Sequence, residues 1–155
     1  MATVKDVSDV FAGIATAHAE VQTFYQHSFD ELDINKIPPN AYPLMYAQIT
    51  RTEISSQKIS YDYDLVVADI VFEETQEFMN TTLSNTMLIM TDILAQFQLA
   101  ISNQNTVTPT NWTVDFPVSC DPFQFRFQNS LAGWSASITI NVPLPLNLCE
   151  ALIDV

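Results

Sequence analysis

The chain predicts an α+β fold: a mostly antiparallel β-sheet covered on one face by two α-helices, in the order α-β-β-α-β-β-β. Three observations carry this. Apolar residues recur at three- and four-residue spacing near the start and again over about 74–101, the period of a helix with one buried face. Residues 59–72 alternate strongly, the period of a strand. So do Phe123-Gln-Phe-Arg-Phe-Gln128 and Trp134 to Val142. A sheet with one greasy face needs a covering layer, and the two helical stretches supply it.

The first helix is expected over residues 3–29. Val4, Val7, Val10, Phe11, Ile14, Ala17, Val21, Phe24 and Tyr25 form its apolar stripe, Thr3 suits the N-cap, and Asp6 stands three positions on. Asp30 to Asn40 reads as an acidic loop closed by Pro38-Pro39, a pair that neither a helix nor a sheet interior accepts. A strand follows over 41–51, with Pro43 near its start.

Residues 59–72 form a second, long strand. Tyr61, Tyr63, Leu65 and Val67 share one face; Asp62, Asp64, Val66, Ala68, Ile70 and Phe72 share the other, which begins acidic and turns apolar. This predicts a strand whose first half projects beyond the core and whose second half is buried on both sides. From Glu74 to Ile101 the stripe Met79, Leu83, Met87, Met90, Ile93, Leu94, Phe97, Ile101 predicts the second helix, with Glu73, Glu74 and Glu77 at its positive end. Strands are expected at about 112–119, 123–128 and 134–142. The last two form a hairpin with Phe123, Phe125 and Phe127 on its greasy side along with Trp134, Ala136, Ile138, Ile140 and Val142.

At 155 residues the chain is a single domain large enough for a real core. Hydrophobic residues make up 48% and charged residues 15%, an apolar balance that a single compact monomer could hide and that subunit contacts would also explain. No apolar run reaches the ~18–20 residues needed to cross a bilayer, and no basic and apolar leader opens the chain, so neither membrane nor export is expected. The formal charge of −13 comes from 18 acidic against 5 scattered basic residues, which argues against binding a nucleic-acid backbone. An acidic surface does suit a channel through which DNA slides without sticking; its simpler use is solubility.

Catalysis and metal binding find no footing. His18 and His27 are nine apart, on opposite sides of one helix. Cys120 and Cys149 lack the paired spacing of zinc sites; without an export signal they are expected to be reduced thiols, with a disulfide between them left open. Phosphate loops, nucleophile elbows and zinc-protease motifs are all missing. Asp30, Glu31 and Asp33 lack the spacing and central glycine of a calcium loop, and Asp62 with Asp64 lacks an opposing partner. The chain is therefore expected to be no enzyme, with no cofactor and no metal. Met79, Met87 and Met90 read as core. Trp134 is expected to anchor the last strand in the core or at a subunit contact, and Arg126 to pair across subunits or on the surface.

Asp121-Pro122-Phe123, Arg126-Phe127, Leu131-Ala132-Gly133-Trp134, Ile138 to Pro143 and Cys149 together resemble a group of small phage virion proteins. These are the tail-terminator or tail-completion proteins, which form a ring between tail tube and neck. The resemblance is clearest over 110–150, weaker over about 80–101 and negligible over the first 35 residues.

The resemblance implies a structural virion subunit in a homo-oligomeric ring of six. The ring would cap the tail tube, engage the neck connector with its other side, and let genomic DNA pass its lumen without specific binding. It would be assembled in the host cytoplasm. Heterologous contacts that close by rotation give such a ring. Arg126, Trp134, Asp62, Asp64, Pro38 and Pro39 are the expected interface residues, with the acidic strand half and the 30–40 loop facing lumen or axis. Another head–tail ring (adaptor, stopper or short-tail ring) is the alternative, distinguished by its symmetry. A small protein-binding module is the alternative of another class, distinguished by a stable monomer.

Overall fold

The structure, a computed structural model, describes residues 4–25, 42–71, 76–101, 112–126 and 130–143, with the side chains of 97–101, 125, 126 and 130 outside the description. The fold is α+β. Helices α1 (Val4–Ala17) and α2 (Gln76–Ile101) cover one face of a six-stranded sheet made of β1 (Thr23–Tyr25), β2 (Leu44–Ile54), β3 (Lys58–Val71), β4 (Thr113–Val114), β5 (Cys120–Arg126) and β6 (Ser130–Pro143). The strand order is β1-β2-β3-β6, with β4 and β5 following one another along the outer side of β6. All pairings are antiparallel except β1 with β2.

The core forms where the helices meet the sheet. Val7, Phe11, Ile14 and Ala15 of α1 and Ile89, Met90, Ile93 and Leu94 of α2 pack on Tyr61, Tyr63, Leu65 and Val67 of β3 and on Ala136, Ile138, Ile140 and Val142 of β6. Phe11 meets Tyr63 ring to ring, centroids 5.0 Å apart and tilted by 56°, within the range where aromatic pairs attract. The α2 stripe is turned from the expected one. Thr82, Thr86 and Ile89 lie on the buried side while Met79, Leu83 and Met87 are half-buried. The Thr86 hydroxyl is satisfied by donating to the Thr82 carbonyl at 2.7 Å.

Four expectations are corrected. The first helix stops at Ala17 and does not run to residue 29: a bend at 18–20 leads into β1, an extra strand, placed beside β2 by a bond from the Gln22 amide to the Pro43 carbonyl (2.9 Å). The part of the expected helix after Tyr25 lies outside the described residues, as does the 30–40 loop. The strand expected over 112–119 is only Thr113–Val114, after which the chain leaves β6 and rejoins it as β5 from Cys120. The first half of β3 does not project. β6 flanks β3 over its whole length, and Tyr61 and Tyr63 are 3% and 2% exposed.

The fourth correction concerns the hairpin. Phe123 pairs with Gly133 and Phe125 with Leu131, and directly opposed residues share a face. Odd-numbered β5 positions therefore lie on the face away from the helices, opposite to Trp134, Ala136 and Ile138. That far face is apolar at this end, where Tyr42, Leu44, Ile70 and Leu131 form a second buried cluster. Val66, Ala68 and Ile70 are buried there as Leu65, Val67 and Val71 are on the helix side, as expected for the second half of β3.

Candidate functional site

The far face changes character toward the β2–β3 turn. The β3–β6 register sets Asp64 opposite Ser137, Asp62 opposite Thr139 and Ser60 opposite Asn141. Every row is bonded. Ser137 Oγ donates to Asp64 Oδ1 (3.0 Å), Thr139 Oγ1 to Asp62 Oδ1 (2.7 Å) and Ser60 Oγ to Asn141 Oδ1 (2.8 Å), while Asn141 Nδ2 donates to Asp115 Oδ1 (2.7 Å). The result is an acidic ladder whose carboxylates accept from neutral donors on β6 and beside β4, with Arg51 of β2 opposite Asp62 on the other side of β3. The signal for it was present in the sequence: Asp62 and Asp64 on one strand face and Ser137, Thr139 and Asn141 on another are brought together by a single antiparallel register.

Trp134 lies on the helix side, half-buried against the core, and its Nε1 donates to the Leu83 carbonyl of α2 at 2.7 Å. It serves the chain's own packing. Gly133 sits where β6 presses on β3; a Cβ there would overlap the Val67 carbonyl oxygen and come within 2.9 Å of the Ala68 Cα. Arg126 lies at the end of β5, paired with Ser130, its side chain outside the description. Pro38 and Pro39 lie outside the described residues. The expected interface set is thus not one cluster: Asp62 and Asp64 sit on the far face and Trp134 on the near one.

One arrangement looks catalytic at first sight. His18 Nε2 and Asp92 Oδ2 are 2.9 Å apart at the mouth of a cleft between the end of α1 and α2, of about 600 Å³, lined among others by Glu20, Asn85, Leu88 and Gln96. The other ring nitrogen decides against it. His18 Nδ1 accepts the Glu20 backbone N–H at 3.1 Å, so the proton sits on Nε2 and is donated to Asp92. A general base needs a free nitrogen aimed at a substrate proton, and here both are engaged. The pair ties α1 to α2.

The thiol of Cys120 borders an apolar groove with Met87, Met90, Leu94, Phe116 and Val118, about 340 Å³ in volume. Burial, helped by Asp121, pushes its pKa up, the opposite of what a nucleophile requires. Among the described residues no three His, Cys, Asp or Glu side chains are grouped to hold a metal ion, and no helix is long and apolar enough to cross a membrane.

The sequence reading missed one exposed feature. Beyond Ala47, β2 has no strand on its outer side among the described residues, and Thr50 to Ile54 are exposed on both faces, Ile54 at 63%. Arg51 and Glu53 lie on one face there, guanidinium to carboxylate 3.4 Å. Mixed charges on a short alternating run were the available sign of an edge strand. No family model matches the chain, and no curated protein matches it either.

Proposed function

We propose that this chain is a structural protein of a tailed-phage virion, a tail-terminator-like ring subunit that caps the tail tube and joins it to the neck. The observation that carries the reading is the acidic ladder. Asp62 and Asp64 on the far face of β3, and Asp115 just past β4, are held by Thr139, Ser137 and Asn141. Fixed carboxylates on a sheet face repel phosphate, which suits a lumen that DNA traverses and does not suit a site that grips nucleic acid.

The segment that resembles terminators supports the same reading. Its described residues build β5 and β6, the strand that binds β3, β4, β5 and α2 together. Cys120 packs against the core, and His18 and Asp92 bond to each other between the end of α1 and α2. Ring closure would use heterologous contacts among six copies, with tube and connector on opposite faces.

Negative-stain microscopy of the purified chain, alone and mixed with its tube protein, tests the proposal. Six-fold rings at tube ends are expected, and removal of the gene should give tubes of uncontrolled length. Twelve-fold rings would move the chain to the portal side of the neck. A chain that stays monomeric beside its tube protein, with tubes of normal length in its absence, rules the proposal out.

A further inference from the structure

The outer edge of β2 carries its own pairing code. The β2–β3 turn is closed by a bond from the Ser55 amide to the Lys58 carbonyl at 2.8 Å. In an antiparallel ladder, alternate residues direct both N–H and C=O toward the same neighbour. Counting back from Ser55, Glu53 and Arg51 aim at β3, where they face Ser60 and Asp62. Thr52 and Ile54 therefore aim their amides and carbonyls outward, where no described strand meets them. A register shift at Thr50 ends the regular run, and Thr50 Oγ1 turns inward to the Asp62 carbonyl (3.2 Å).

We infer that this edge pairs antiparallel with the same edge of a second copy, about a two-fold axis through Thr52. The charge pattern selects the occupant. With Thr52 opposite its counterpart, Arg51 of each chain stands opposite Glu53 of the other. Thr52 and its counterpart exchange both backbone bonds, which makes the flanking Arg51 and Glu53 rows non-hydrogen-bonded pairs, the rows in which side chains come closest. Arg51 and Glu53 already share a face within one chain, so pairing closes a ring of four alternating charges. A one-residue slip would leave Arg51 facing Thr52. The two-fold register is thus self-complementary although the chains as wholes repel, each with a formal charge of −13.

This goes beyond the ring proposal: an isologous contact joins two copies and closes. It covers the β2 edge beyond Ala47, a template unpaired among the described residues and of a kind that proteins otherwise shield.

Cross-linking tests it. In a Cys120→Ser, Cys149→Ser background, Thr52→Cys places two thiols across the axis at a Cα separation of ~5.5 Å, within disulfide range. Ile54→Cys, on the same exposed edge, does not. Mild oxidant should give a disulfide-linked dimer from Thr52→Cys and not from Ile54→Cys. Adding Glu53→Arg should slow that dimer roughly fivefold or more by setting like charges opposite, although it lowers the overall repulsion. Adding Arg51→Glu as well should restore the rate.

Equal cross-linking at positions 52 and 54, no cross-link at either, or a faster dimer with Glu53→Arg each overturns the inference. Ring formation is read separately by microscopy, so either idea can fail while the other stands.

Discussion

The indole nitrogen of Trp134 donates to the Leu83 carbonyl at 2.7 Å, so the middle of β6 is bonded to α2 as well as packed against it. The bond has a measurable share of the stability. Trp134→Phe keeps an aromatic ring and removes the donor. It is expected to cost about 1–2 kcal/mol, a neutral hydrogen bond plus some packing, read as a lower urea midpoint at unchanged slope.

Gly133 allows the close approach of β6 to β3. Since an added Cβ would meet backbone (the Val67 carbonyl) and no side chain that could swing away, Gly133→Ala forces the central strand pair apart. A loss at or above the usual overpacking cost of about 1–3 kcal/mol is expected. Ala132→Gly, one residue earlier on the same strand, is the control for glycine's own entropy, and denaturation of the two variants separates the effects.

How much of this was legible beforehand depended on which period dominated. The alternation of β3 and β6 and the apolar stripe of α2 each run over ten or more residues, long enough to identify element type. Parity was not legible. β5 and β6 pair odd with odd, as Phe123 with Gly133, whereas matching the phenylalanines to Trp134 requires odd with even. Each strand's pattern is the same in both cases, and only the turn geometry chooses. The end of α1 was hidden for a related reason. Val21, Phe24 and Tyr25 continue the helical spacing by chance, no glycine or proline marks a stop, and a strand as short as Thr23–Tyr25 is too brief to show a period of its own. The polar rows of the far face could be read strand by strand, but not the register that joins Asp62 to Thr139.

Tyr42 makes stability fall at alkaline pH. Burial, with Tyr25 and Asp69 nearby, pushes its pKa from 10.0 up to about 12. The unfolded chain therefore releases this proton first, and the contribution of neutral Tyr42 is full below pH 10 and lost as pH rises through about 12. Its hydroxyl also has no hydrogen-bond partner among the described residues. Tyr42→Phe is expected to be neutral or stabilising by about 1 kcal/mol at pH 7. It should also flatten the alkaline decline, leaving the part due to Tyr61 and Tyr63, which burial shifts the same way. Urea denaturation across pH 8 to 12 at fixed ionic strength would show both effects.

Asp69 should reveal itself at the other end of the pH scale. Its carboxylate is half-buried on β3 and accepts the Ile70 amide at 2.7 Å. Burial raises its pKa above 3.8, the Ile70 bond opposes the rise, and the charge of Glu20 adds to it. A raised folded-state pKa means the folded chain takes up this proton before the unfolded one does. The contribution of Asp69 is thus fully favourable below pH 3.8 and is lost as pH rises through the folded value, leaving a desolvated charge at neutrality. Asp69→Asn keeps an acceptor for the Ile70 amide and removes the charge. It should be more stable than the native chain at pH 7, and the advantage should shrink steadily as pH falls toward 3.8. A gap between the two denaturation curves that is constant with pH would mean that the carboxylate is solvated and that its placement on β3 carries no electrostatic cost.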